Sequence, residues 1–310
     1  MSRFTFIGGT KRGYELLKAL IEKNYLPVFA VILKEDDQEP EKYSLKITEL
    51  LKSCNITFQI RKKLTDDDYN EIKNSNSDFA LVLGWRTLIN TDPDLNLKYG
   101  FIASHFSLLP KYRGFAPVQW AIINGETESG VTLFRIGDGE IDSGEIISQA
   151  KIAISSDNQG FDVDKKMTKA AIELIMNFFE DIRSDTLKFK VQDERISTYT
   201  CRRIPEDGRI NWSCSSLEIH NLIRAVAFPY PGAFCYFNNE KYLINKAKVG
   251  DLNNKVYSGR IPGRVIKMDE EGAEVLCGSG TIKILEWKNS EDGTVSNPCS
   301  QIKSITATLK

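Results

Sequence analysis

Five apolar residues in a row, Phe79 to Leu83, leave no polar face to turn towards solvent. A strand of that composition is buried on both sides, so it belongs inside a mostly parallel sheet with helices on both faces. The neighbouring sequence agrees. Arg3 to Gly8 and Pro27 to Leu33 read as further strands, and Tyr14, Leu17 and Ile21 between them recur at helical spacing. Leu45 to Lys52 and Asp66 to Lys73 suit helices, and Ile56 to Ile60 a short strand. Phe101 to Ser107, Val131 to Ile136 and Glu145 to Ile154 resume strand character. Pro117 is placed to open a helix, and a long helix is predicted through Val163, Met167, Leu174, Phe178 and Ile182. Such alternation implies βαβ units, an α/β domain.

The character changes after Arg203. Pro205 to Gly208 is a turn, one helix is predicted from Ser215 to Val226, and short strands follow Pro229-Tyr230-Pro231-Gly232. These are Ala233 to Phe237, Tyr242 to Val249, Gly263 to Met268, Ala273 to Cys277 and Thr281 to Glu286, a spacing that predicts a small β-barrel. A chain of 310 residues accommodates two domains, here 1–204 and 205–310.

Several function classes are disfavoured. Lys plus Arg number 41 against 42 Asp plus Glu, and residues 205–310 carry 13 against 12, so no basic field advertises nucleic acid. No run approaches the ~20 apolar residues of a membrane span, and the first residues do not read as a signal peptide. Six scattered cysteines without a Cys-x-x-Cys pair predict reduced thiols and a cytoplasmic location. They and the two histidines, His105 and His220, show no metal-ligand spacing. Gly8, Gly9 and Gly13 miss the dinucleotide pattern, and Tyr14-Glu15 stands where a Walker loop needs Lys-Ser/Thr. The turn at Gly9-Thr10 is either a tight strand-to-helix connection or one that also admits a ligand to backbone amides.

Residues 105–117 read His-Phe-Ser-Leu-Leu-Pro-Lys-Tyr-Arg-Gly-Phe-Ala-Pro, followed by Trp120-Ala-Ile, Gly125-Glu126, Gly130-Val-Thr132 and Asp142-Ser-Gly144. In this order they resemble the 10-formyltetrahydrofolate-dependent formyltransferases, whose pattern is N-x-H-x-S-L-L-P-x-x-R-G, W-A-I-x-x-G-E, G-V-T and D-x-G. The resemblance continues through Arg202-Arg203-Ile-Pro-Glu-Asp-Gly208, Trp212, Ile223-Arg224-Ala225 and Pro229-Tyr-Pro-Gly-Ala-Phe234, and so spans both halves. It implies a Rossmann-like catalytic domain followed by an OB-like β-barrel.

The implied chemistry is attack of a substrate amine on a formyl carbon, with negative charge developing on its oxygen. Such a site needs a donor for that oxygen and a group that handles the amine's protons. By resemblance, His105 and Asp142 fill the ionisable roles. The family's asparagine falls on Ala103, so one donor is missing. A water, Ser104 or another group replaces it, or activity is lost; Ser104 faces the other side of the strand. For the folate donor the resemblance implies Leu83, Trp85, Arg86, Gly139, Glu140 and Ile141. For the acceptor the candidates are Gly9, Thr10, Lys111, Arg113, Arg203 and Tyr230, while Arg224 is expected to brace a helix and loop. The segments around Arg203 and Tyr230 look most like the sugar N-formyltransferases. They imply a cytoplasmic enzyme that formylates a UDP- or dTDP-linked 4-amino-4,6-dideoxy sugar, with small-molecule partners, no metal, no nucleic acid and no membrane. A homodimer is among the states this allows. Methionyl-tRNA formyltransferase is the second reading, and a folate-binding homologue without activity the third. The acidic stretch Glu35, Asp36, Asp37, Glu39 and Glu41 is expected to repel tRNA.

Overall fold

The computed structural model describes residues 2–36, 41–251 and 256–310. In chain order its elements begin β1 Phe4–Gly8, α1 Thr10–Glu22, β2 Phe29–Leu33, α2 Tyr43–Ser53, β3 Phe58–Arg61, α3 Asp66–Asn74 and β4 Phe79–Leu83. They continue with β5 Gly100–His105, β6 Arg113–Gly114, α4 Pro117–Ile123, β7 Glu128–Arg135, β8 Ile146–Ala153, α5 Gly160–Arg183 and β9 Tyr199–Thr200. The remainder is α6 Ser216–Ala225, β10 Ala233–Phe237, β11 Glu240–Val249, β12 Val265–Met268, β13 Ala273–Leu276, β14 Thr281–Asn289 and β15 Val295–Ser296.

Two compact units emerge. The first comprises residues 1–114, 129–152 and 165–199; the second 115–128, 153–164 and 200–310. The last crossing falls near the boundary expected at 204. Two earlier segments join the second unit because α4 packs on α6, and because the Arg224 guanidinium on α6 donates to the carbonyls of Ser155 and Asn158 at 3.1 and 3.0 Å. Arg224 thus braces helix and loop, as its sequence setting suggested.

The first unit is built on a seven-stranded sheet of order β3-β2-β1-β4-β5-β7-β8. The pairs β3-β2, β2-β1, β1-β4 and β4-β5 are parallel, and β5-β7 is antiparallel. All five residues of β1, β2 and β4 are buried, which is why their sequences lack alternation. Phe4 and Phe79 stack at 5.6 Å, and Phe178 and Phe179 of α5 cover Phe79 edge-on at 5.0 and 5.5 Å. Each such ring contributes about 1.5–3 kcal/mol on burial.

Strand order reverses between β1 and β4: the chain runs from β1 to β2 and β3 on one side, then to β4 and β5 on the other. In sheets of this kind ligands bind outside the carboxyl ends of the strands at such a switch. Glycines bring the elements close there. A Cβ on Gly13 of α1 would stand 2.5 Å from the Leu83 carbonyl oxygen, so only glycine lets the helix lie this near β4. The buried face of α1 is accordingly Gly13, Leu16, Leu17 and Leu20, part of a turn away from the Tyr14, Leu17, Ile21 stripe expected from spacing.

The second unit holds an antiparallel sheet of order β10-β11-β14-β13-β12, with β15 paired to β14. Its two outer strands are joined through residues 307–310. Tyr236 of β10 and Lys310 exchange backbone hydrogen bonds of 2.7 and 2.9 Å, while Val265 of β12 donates to Ala307 at 2.9 Å. α6 begins with a capping box in which Ser215 and Glu218 satisfy each other's backbone amides. Among the described residues no helix is long and apolar enough to cross a membrane, and no group of His, Cys, Asp or Glu could hold a metal ion.

Candidate active site

His105 is the last residue of β5, at the carboxyl edge of the sheet, and is 8% exposed. Its Nε2 lies 2.7 Å from the Tyr112 carbonyl oxygen. That oxygen only accepts, so Nε2 carries a hydrogen. Nδ1 faces Asp142 Oδ2 at 3.4 Å, a contact that becomes a charge-assisted hydrogen bond when Nδ1 is also protonated. The same carboxylate oxygen accepts from the Gly114 amide at 2.8 Å, so the carboxylate is fixed from a second side. Asp142 itself has a left-handed backbone, φ 56°, in the turn that closes the 137–144 loop. Sequence reasoning proposed His105 and Asp142 from positions 37 apart, and the fold brings them into contact.

Ala103, two residues before His105, is paired with Val82 of β4 and Phe134 of β7. It belongs to an apolar cluster with Leu109, Phe134 and Ile146, against which Trp85 packs. Ala103→Asn should lower stability by about 1–3 kcal/mol, the cost of placing an amide among these apolar side chains, and should not raise turnover. Thermal melting and a formyl-transfer assay check this; a stable variant with higher turnover would mean that the space is polar and restores the family's donor. Ser104, on the opposite face, has a buried Oγ with no hydrogen-bond partner among the described residues. So does the Nε1 of half-buried Trp85.

The other candidates separate clearly. Leu83 is fully buried at the end of β4, whereas Arg86 is exposed beyond it. Gly139, Glu140 and Ile141 form an exposed loop tip, with the Ile141 side chain 40% exposed. The tip is tied down by hydrogen bonds from Thr91 to Asp138 and from Tyr199 to Glu140, and by Ser143 Oγ donating to the Glu140 carbonyl at 2.6 Å. Gly9 caps α1; a Cβ there would meet Leu33 Cβ at 2.4 Å, so packing alone accounts for this glycine. Thr10 follows with φ 61°, rare for a β-branched residue. Lys111 is exposed.

Arg113 corrects its sequence reading. Expected to meet the substrate, it is 0% exposed. Nη1 and Nη2 each bind Glu194 at 2.7 Å, Nη1 reaches Tyr199 OH at 2.9 Å, and Nε and Nη2 reach Gln192 Oε1 at 3.2 and 2.8 Å. The guanidinium's hydrogen bonds hold the Glu194 carboxyl below its usual range. An arginine with this many internal acceptors braces the fold. Sequence reasoning also missed Gln192, Glu194, Thr198 and Tyr199, since a Gln-Asp-Glu stretch after a long helix carries no chemical signature.

In the second unit, Arg203 and Tyr230 line one cavity together with Gln119, Ile204, Pro231 and Gly232. Arg203 sits over the Trp120 ring, 5.0 Å from its centroid, and donates to the Asp207 carbonyl at 2.8 Å. His220 lies on α6, where burial and then Arg224 hold its pKa below the usual value. The acidic stretch after β2 is partly internal: Glu35 is 4% exposed and accepts from the Ser44 amide at 2.9 Å, anchoring the start of α2. Asp36 pairs with Lys62 and Glu41 with Lys46, and Asp37 and Glu39 lie outside the described residues.

A formyl transferase family model matches residues 3–178, and a formyl transferase C-terminal domain model matches residues 203–296. This chain belongs to the formyl transferase family. A protein of Thermodesulfovibrio yellowstonii named methionyl-tRNA formyltransferase is 32% identical over 274 residues, 87% of this chain and 86% of that one. WlaRD, a sugar 3N-formyl transferase solved in the presence of dTDP and 5-N-formyl-THF, is 25% identical, with a TM-score of 0.65 over 94% of this chain and 99% of that one. The N-formyltransferase of Helicobacter canadensis, solved with folinic acid and dTDP-3-aminofucose, is 23% identical, covers 92% of this formyl transferase and 99% of its own chain, and shares the fold at a TM-score of 0.69.

Proposed function

We propose that this formyl transferase moves a formyl group from 10-formyltetrahydrofolate to the primary amine of a dTDP- or UDP-linked aminodideoxy sugar. His105 and Asp142 are the catalytic residues in this reading. Because Nε2 donates to the Tyr112 carbonyl, the imidazole takes at Nδ1 the proton that the attacking amine gives up, beside the Asp142 carboxylate, and returns it to the nitrogen of the departing tetrahydrofolate. When bound, the folate supplies the formyl group. The unpartnered Trp85 Nε1 and the exposed apolar Ile141 suit a flat ligand with a polar edge, and Arg86, Gly139 and Glu140 stand beside them in sequence.

The observation that carries the acceptor is the cavity of the second unit. Arg203, pre-set over Trp120, offers a cation for a diphosphate; Tyr230 offers a ring for a base, and Gln119 an amide for its edge. The likeness to WlaRD supports the same class. Against it stands the 32% identity with a protein named for methionyl-tRNA, which makes tRNA the competing acceptor. The near-balanced charge of residues 205–310 weighs against a polyanion, although the inward Glu35 weakens the repulsion expected of the acidic stretch. With the folate donor present, dTDP- and UDP-linked 3-amino and 4-amino sugars should be formylated, and initiator methionyl-tRNA should not. Formylation of the tRNA alone would overturn the acceptor assignment. Folate binding without transfer to any amine would make the chain a binding protein.

A further inference from the structure

Asp142 is held in a backbone conformation that side-chain-bearing residues rarely adopt, in a loop whose tip is exposed. Its own side chain makes one hydrogen bond to a backbone amide and one contact with His105. Something must keep that turn in register with β5, because a displacement of about 1 Å at a reacting group can cost a hundredfold in rate. The side chain that does so comes from 50 residues further along. Gln192 Nε2 donates to the Asp142 carbonyl at 2.7 Å and to the Gly144 carbonyl at 2.6 Å, so both amide hydrogens clamp the two ends of the Asp-Ser-Gly turn. Gly144 lies against β7 closely enough that a Cβ there would stand 1.8 Å from the Arg135 carbonyl oxygen, so only glycine fits at this end of the turn.

Gln192 is 5% exposed, and its own orientation is imposed. Its Oε1 accepts from Nε and Nη2 of Arg113, which leaves the amide nitrogen pointing at the turn. Arg113 is in turn held by Glu194. Farther on, Thr198 grips the loop that contacts His105: its Oγ1 accepts from the Tyr112 amide at 2.8 Å and its carbonyl from the Arg113 amide at 2.8 Å. The segment 192–199 thus touches both halves of the pair, the Asp142 turn through Gln192 and the Tyr112 carbonyl support of His105 through Thr198.

We propose that Gln192 is a positioning residue for formyl transfer, acting through the backbone of Asp142 to set the carboxylate against His105. This rests on the reading of His105 and Asp142 as catalytic. The informative variant is Gln192→Glu, which keeps an acceptor for Arg113 but removes both donors to the turn; Gln192→Met is a second variant of similar shape with neither function.

With 10-formyltetrahydrofolate and a dTDP-linked amino sugar, both variants should lose at least tenfold in kcat. KM for each substrate should stay within about twofold, and melting temperature should fall by a few degrees, the cost of buried hydrogen bonds lost around the turn, with the variants still folded at the assay temperature. Combined with Asp142→Ala, Gln192→Glu should cost nothing further. A readout free of any acceptor comes from the imidazole nitrogen resonances. The chain has two histidines, and those of His105 should move in both variants while those of His220 stay. Wild-type kcat together with unmoved His105 resonances in the folded variants would overturn the proposal. Full turnover in Asp142→Ala would instead sink the catalytic reading and leave the resonances to decide the positioning role. A wild-type protein idle on amino sugars would sink only the acceptor.

Discussion

His105→Asn and Asp142→Ala should each lower formyl transfer by about a thousandfold while leaving the fold intact. General acid–base groups contribute roughly 10²–10⁴ in rate, and in the proposed reaction one proton path depends on both. Asparagine at 105 can still donate towards the Tyr112 carbonyl but cannot take up a proton. Alanine at 142 frees the Gly114 amide and leaves His105 Nδ1 without its carboxylate. Because the two act on one proton, the double variant should be little worse than either single one. Circular dichroism and melting temperature establish that the variants are folded, and single-turnover transfer measures the loss. Either folded variant within tenfold of wild type would remove its residue from the mechanism.

Arg113→Met should cost about 1–3 kcal/mol of stability, because buried Gln192 loses its donors while Glu194 is left in solvent, and the melting temperature should fall by several degrees. The change keeps most of the side chain's length but deletes every donor to Glu194, Tyr199 and Gln192 at once. Gln192 then loses the partner that orients it, so turnover of the folded fraction should fall as well. If Arg113 met the substrate instead, the signature would be opposite: an unchanged melting temperature and a raised acceptor KM. Scanning calorimetry beside steady-state kinetics distinguishes the two.

The sheet was readable because Phe79 to Leu83 and its flanking runs are apolar without alternation, a signal that survives without tertiary information. α6 was expected from Ser215 to Val226, and in the fold Ser215 caps it, in a capping box with Glu218 that the sequence reading did not use. The buried face of α1 was misplaced by part of a turn because its closest approach to the sheet is made by Gly13, and glycine contributes nothing to a hydrophobic stripe. Arg113 was misread for a related reason. Its acceptors lie 79 and 81 residues further along, and a motif arginine looks like an anion ligand until those partners are in place. Likewise, residues 115–128 and 153–164 look from sequence like parts of the first half. Only the packing of α4 on α6 and the reach of Arg224 show where they belong.

Residues 307–310 have a consequence for how the protein behaves outside its fold. An open antiparallel sheet exposes rows of unpaired amides and carbonyls that recruit strands from other molecules. Here four residues act as a clasp, spanning from Val265 on one edge strand to Tyr236 on the other. A proteolytic nick at Ser304–Thr306 would loosen the clasp on both edge strands, while Phe234 of β10 keeps its hydrogen bond from the Ile210 amide at 2.8 Å. The loosened edges would then offer backbone groups to a second molecule, and the expected result is self-association that grows with protein concentration, read by light scattering.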